Sequence, residues 1–100
     1  MKRVMVRYKL KAEKVEENKQ LVKAVFEELQ AKQPAGLRYA SFGLPDGVSF
    51  IHIVAVETAD GKSPLNSTDA FLTFTKDIKE RCEEQPVAME LSEVGSYQLF

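Results

Sequence analysis

The sequence predicts one small α+β domain, residues 1–100, with elements in the order β-α-β-β-α-β. Three observations carry this reading: runs of alternating apolar and polar residues, two runs of apolar residues at helical spacing, and Pro or Gly at the boundaries between them. One hundred residues with 44% hydrophobic content supply a single core and little beyond it.

Val4, Val6, Tyr8 and Leu10 alternate with Met5, Arg7 and Lys9, the period of two expected of a first strand. From about Glu13 to Gln33 the period changes. Val15, Val22, Val25, Phe26 and Leu29 fall at helical spacing with Glu and Lys opposite, and Glu28 and Lys32 form an i,i+4 pair. Pro34 and Gly36 end this helix. Residues 37–44 and 48–57 read as two antiparallel strands joined by the three-residue loop Pro45-Asp46-Gly47, which sets Leu44 opposite Val48 and Ala40 opposite His52. After an irregular stretch, Thr58 to Leu65, Asn66 and Asp69 are spaced for a reciprocal N-terminal cap. Phe71, Phe74, Ile78 and Cys82 then mark the apolar stripe of a second helix. Gln85-Pro86 closes that helix, and a last strand runs from about Val87 to Leu99, bent at Gly95.

Two β-α-β units sharing a hairpin give a ferredoxin-like antiparallel sheet of order 4-1-3-2, with both helices on one face. The expected register puts Ala40, Phe42, Phe50, His52 and Val54 on one face and Leu37, Tyr39, Ile51, Ile53 and Ala55 on the other. Neither is a solvent face. Burying apolar surface stabilises by about 25 cal/mol per Å². With both helices spent on one side, a second copy of the sheet is the simplest cover for the other, so a homodimer is expected through the face without helices.

Fourteen Lys and Arg against fifteen Asp and Glu leave a net charge of -1, so there is no basic field to hold nucleic acid. The longest nearly apolar run, Phe50 to Val56, is too short to span a bilayer and the start has no continuous apolar h-region, so neither a membrane partner nor a signal peptide is expected. A lone cysteine, Cys82, excludes an internal disulfide and fits a reducing, cytoplasmic setting. With one histidine, no Gly-rich phosphate loop and no nucleophile elbow, the residues call for no metal and no cofactor.

The segments Lys11-Ala12-Glu13-Lys14-Val15-Glu16-Glu17-Asn18, Pro34-Ala35-Gly36-Leu37-Arg38-Tyr39, Ser67-Thr68-Asp69-Ala70-Phe71 and Glu93-Val94-Gly95-Ser96-Tyr97 resemble, in order and spacing, the dimeric α+β barrel superfamily. The likeness is strongest to its antibiotic biosynthesis monooxygenase-like branch. The resemblance implies two sheets packed into a barrel and a small-molecule pocket between the sheet and helices of each protomer. It implies a cofactor-independent monooxygenase or isomerase acting on a small aromatic or quinol-like compound. A non-catalytic dimeric binding module and a haem-binding protein are the alternatives it leaves. The chain has no Trp, which recurs in the oxygenase and haem-degrading branches, and no catalytic residue is carried over.

His52 sits mid-strand and titrates near neutrality in isolation, which suits acid-base work or ligand orientation; the plainer reading is a buried, hydrogen-bonded imidazole. Asn18 is the one amide in the stripe Val15, Asn18, Val22, Val25 and Leu29, and a buried amide needs partners, whether ligand or protein. Tyr8 and Tyr39 pair apolar rings with polar tips and suit a pocket wall or a strand edge, while Phe71 and Phe74 suit a wall or plain core. Arg7 and Arg38 suit an anion or an exposed strand position equally. Cys82, among Glu80, Glu83 and Glu84, is expected to be inert.

Overall fold

The computed structural model describes residues 1–99. Strand β1 (Lys2–Leu10) leads through a short 3₁₀ turn into helix α1 (Val15–Lys32); strands β2 (Leu37–Gly43) and β3 (Ser49–Val56) follow. Then come a 3₁₀ turn at Pro64–Ser67, helix α2 (Asp69–Lys76), the one-turn helix α3 (Ile78–Arg81) and strand β4 (Cys82–Leu91). The sheet is antiparallel in the order β2-β3-β1-β4, which is 4-1-3-2 read from the other edge. Tyr8, Leu10 and Phe50 from the sheet, Val25 from α1, and Leu65 and Phe74 from the second crossover form the core on one face. No helix among the described residues is long and apolar enough to cross a membrane.

The hairpin register differs from expectation by one residue. Ser41, not Ala40, faces His52, and Gly43 faces Phe50. The cause is the Asp46 carboxylate, which accepts from the Val48 and Ser49 amides at 3.0 and 2.8 Å and from the Ser49 hydroxyl at 2.6 Å. Val48 is thereby drawn into the loop, and Leu44 pairs with Ser49 instead. A slip of one residue turns every side chain of β2 over. Tyr39 and Leu37 therefore share the helix face with His52, and Ala40 and Phe42 join Ile51, Ile53 and Ala55 on the open face.

The second crossover also departs from the expected single helix. α2 stops at Lys76, and Cys82 opens β4 opposite Leu10 instead of ending a helical stripe. Pro86 lies inside β4, where the pairing shifts between Arg7↔Val87 and Lys9↔Glu84, so the residue that lacks an N–H falls in a bulge of an edge strand. β4 ends at Leu91, before Gly95. The Asn66/Asp69 cap does not form. Ser63 caps the 3₁₀ turn through the Leu65 amide, and the first amides of α2, on Asp69 and Ala70, donate to Glu28 of α1 at 3.2 and 2.8 Å. One carboxylate thus fastens the two crossover helices together, and these hydrogen bonds, with that from Lys32, hold it below the usual glutamate range.

Gly36 carries a left-handed φ of +76°, and a Cβ there would lie 2.3 Å from the Glu57 carbonyl oxygen. Gly47 has a similar φ of +78° but open space around it. Gly36→Ala should therefore cost about 2–4 kcal/mol in urea denaturation, against about 1 kcal/mol for Gly47→Ala. Equal losses would contradict the close approach at Gly36.

Candidate functional site

The register determines what faces the helices at mid-sheet. Val6 lies opposite His52, and Ser41 lies opposite it on the other side, so the ring projects beneath α2 between Tyr8 and Tyr39. His52 Nε2 is hydrogen-bonded to the Tyr8 hydroxyl at 2.8 Å, and Nδ1 to the Tyr39 hydroxyl at 2.5 Å. Phe74 stacks on the imidazole at 5.5 Å between centroids, and Phe26 stacks on Tyr39 at 5.1 Å. Aromatic packing of this kind orients the rings beyond what area alone would do.

The polar chain continues away from the sheet. Asn18, fully buried in the first turns of α1, donates through Nδ2 to the Tyr8 hydroxyl at 2.9 Å. Arg81, 3% exposed at the end of α3, donates through Nε to Asn18 Oδ1 at 3.1 Å and through Nη2 to the Phe74 carbonyl. Its guanidinium also lies over the Phe74 ring at 5.3 Å. The connections explain the meeting. The Lys11 amide donates to the Arg81 carbonyl, tying the β1–α1 connection to the start of β4, so residues 8, 18 and 81 converge.

A cavity of about 180 Å³ borders this chain, walled by Val6, Val54, Leu65, Phe71, Phe74, Ile78 and the Tyr8, Tyr39 and His52 side chains. Val6, Val54, Leu65 and Phe71 also line a larger groove of about 860 Å³ between the sheet and the segment from Thr58 to Ser67. That irregular segment is a roof. Asp60 holds it folded, accepting from the Thr58 hydroxyl and the Lys62 amide. Lys2, Lys62 and Ser63 add polar groups to the groove, whereas the inner cavity presents an apolar surface to which His52, Tyr8 and Tyr39 contribute their rings.

Of the sequence candidates, His52, Tyr8, Tyr39, Phe71 and Phe74 all border the inner cavity, and Asn18 stands behind Tyr8. Arg7 and Arg38 lie elsewhere, on the open sheet face opposite Ile51 and Ala55. Cys82 is buried, and burial raises its thiol pKa. Arg81 and Leu65 are the residues that sequence reasoning missed. The signal for Arg81 was its spacing of seven from Phe74, two helical turns, which sets it on the apolar face.

Burial lowers the His52 pKa to about 4 and raises that of Tyr8 to about 12; burial also pushes Tyr39 well above the ordinary phenol value. At neutral pH the inner site is therefore an uncharged imidazole between two protonated phenols. Between its folded value of about 4 and the unfolded 6.5, the unfolded chain binds the extra proton. The contribution of neutral His52 is complete above the unfolded value and is lost as pH falls through that window, by about 3 kcal/mol in all. The stability difference between wild type and His52→Gln should shrink by about that much from pH 7.5 to pH 4 in urea titrations. A pH-independent difference would contradict the buried neutral state.

No protein-family model matches the sequence, and no curated protein sequence matches it. Fold and site together define a ferredoxin-like α+β domain with an aromatic-walled cavity between sheet and helices. Solved structures of antibiotic biosynthesis monooxygenase-like proteins share this fold at low sequence identity. One described as an antibiotic biosynthesis monooxygenase superposes with a TM-score of 0.77 at 17% identity, covering 95% of this chain and 100% of its own. A putative antibiotic biosynthesis monooxygenase from Bacteroides thetaiotaomicron gives 0.78 at 10% identity, covering 93% and 89%. A variant of SnoaB, a cofactor-independent oxygenase from Streptomyces nogalater, gives 0.70 at 13% identity, covering 97% and 96%.

Proposed function

We propose that this chain binds a small, planar, largely apolar molecule with an oxygen substituent at its inner end, and acts on it as a cofactor-independent monooxygenase or an isomerase. The observation that carries the reading is the cavity of about 180 Å³ walled by the rings of His52, Tyr8 and Tyr39, whose polar atoms are hydrogen-bonded to one another at its edge. Pockets for small molecules are mostly apolar with a few convergent polar groups. The inner cavity accepts one small ring, and the groove gives room for the remainder of a larger ligand.

Both reactions pass through an electron-rich oxyanion, an enolate or phenolate, which isomerises or reacts with dioxygen; with no free base among the described side chains at the site, the substrate gives up its proton to solvent and enters as the anion. Hydrogen-bond donors set in a dry pocket stabilise such a charge. The likeness in fold to SnoaB, a cofactor-independent oxygenase, supports oxygenation without a cofactor, and the buried Arg81 cation behind Asn18 favours an oxyanion electrostatically. The haem alternative draws less support, since both ring nitrogens of His52 are already hydrogen-bonded and a porphyrin exceeds the inner cavity.

The open sheet face supports a second copy as partner. Phe42 is 53% exposed, Val87 57% and Met89 42%, and Ile51 and Ile53 lie between them on the same face. The exposed Leu99 lies over the same face, beside Phe42 and Ile53. Apolar exposure on this scale marks an association surface.

Two experiments test these readings. A panel of small phenols and aryl ketones should raise the wild-type Tm, and Val54→Trp, which adds bulk at a residue lining both groove and cavity, should abolish the rise while the circular dichroism stays native. A rise that survives in Val54→Trp would remove the cavity from the proposal. In sedimentation at micromolar concentration the wild type should run as about twice its 11.3 kDa chain mass and Ile53→Glu as the monomer. A monomeric wild type would refute the dimer.

A further inference from the structure

The hydrogen bonds at the site have a direction, and the residue that determines it, Arg81, does not itself line the cavity. Arginine has only donors, so the atom of Asn18 that faces Arg81 Nε must be the carbonyl oxygen. The Asn18 amino group then points at Tyr8, whose oxygen accepts from it. The Tyr8 hydroxyl proton must go elsewhere, and the one acceptor beside it is His52 Nε2. With Nε2 accepting, a neutral imidazole carries its proton on Nδ1, and Nδ1–H donates to the Tyr39 oxygen. The Tyr39 hydroxyl proton is left over, with no acceptor within the chain of hydrogen bonds.

The opposite direction is disfavoured by burial. If Tyr39 donated to Nδ1, Nε2–H would donate to Tyr8, whose oxygen would then accept twice. Its own proton would have no acceptor at a position only 3% exposed. Tyr39 is less deeply buried than Tyr8 and its ring borders the cavity, so leaving its proton without an acceptor in the chain is the less costly arrangement.

We infer that Arg81 and Asn18 are positioning residues: they impose the Nδ1–H tautomer on His52 and so make Tyr39 a hydrogen-bond donor to the ligand. The inference rests on the proposed binding site for its consequence, but not for its geometry. The ligand atom seated at Tyr39 must then be an acceptor, a carbonyl or an oxyanion, and a group that can only donate is excluded there.

A single near-isosteric change should reverse the chain. In Asn18→Asp the carboxylate, ionised beside Arg81, accepts from Tyr8. Tyr8 then accepts from His52 Nε2–H, and the bare Nδ1 takes the Tyr39 proton away from the cavity. Ring ¹⁵N chemical shifts of His52 in the ligand-free protein at pH 8 read this directly. Wild type should show Nδ1–H and Asn18→Asp should show Nε2–H. The same tautomer in both proteins, or Nε2–H in the wild type, would overturn the inference, and the wild-type spectrum decides it even if the variant does not fold. Acetophenone, which only accepts, should bind Asn18→Asp at least about tenfold more weakly than wild type, the scale of one lost hydrogen bond. Equal affinities would overturn the role given to Tyr39. Absence of acetophenone binding to wild type would instead count against the ligand site, leaving the tautomer to decide the chain.

Discussion

A neutral imidazole buried under a helix needs an acceptor for one ring nitrogen and a donor for the other. His52 finds both in tyrosine hydroxyls supplied by its neighbouring strands. That requirement fixes much of the rest. Tyr8 must lie beside it on β1, Tyr39 must face the same way from β2, and the second demand of the Tyr8 oxygen reaches into α1 and from there to the end of α3. The polar chain therefore joins two of the three remaining strands to both crossover connections through bonds with few alternatives. An unpaired member would cost the desolvation of a buried group, about 1–3 kcal/mol, which gives the chain its leverage over packing.

The same chain explains why there is a cavity at all. Side chains tied by hydrogen bonds cannot collapse freely into neighbouring space, and the rings of Phe26 and Phe74 stacked on Tyr39 and His52 keep them upright. Leu65 closes the outer side, and it is brought there by a segment held by its own turns and not by the sheet. The helix face of the sheet is thus specialised for enclosing space. The opposite face carries exposed apolar side chains with Arg3, Arg7 and Arg38 among them, and it is the face proposed to meet a second copy.

Several features were legible in the residues alone because they are local. Strand and helix periods gave the element order, Pro34-Gly36 gave the end of α1, and the two β-α-β units gave the sheet order found in the structure. Asn18 stood out for the same reason, as an amide in an apolar stripe. The errors cluster where a long-range or side-chain interaction overrides local pattern. The Asp46 carboxylate lengthened the hairpin loop by one residue, Glu28 replaced the expected local cap of α2, and a bulge admitted Pro86 into a strand where it had been read as a helix terminator.

The sequence by itself determined the α+β architecture, the excess of apolar strand positions over one core face, and two polar residues, Asn18 and His52, that called for partners inside. It could not determine on which face His52 would meet Tyr39, because strand parity makes that depend on a single residue of register, and the register was decided by the Asp46 carboxylate. Nor could it join residues 8, 18, 39, 52 and 81, which no local rule relates. Only the packed fold brings those five side chains within hydrogen-bonding distance, since each comes from a different strand or helix.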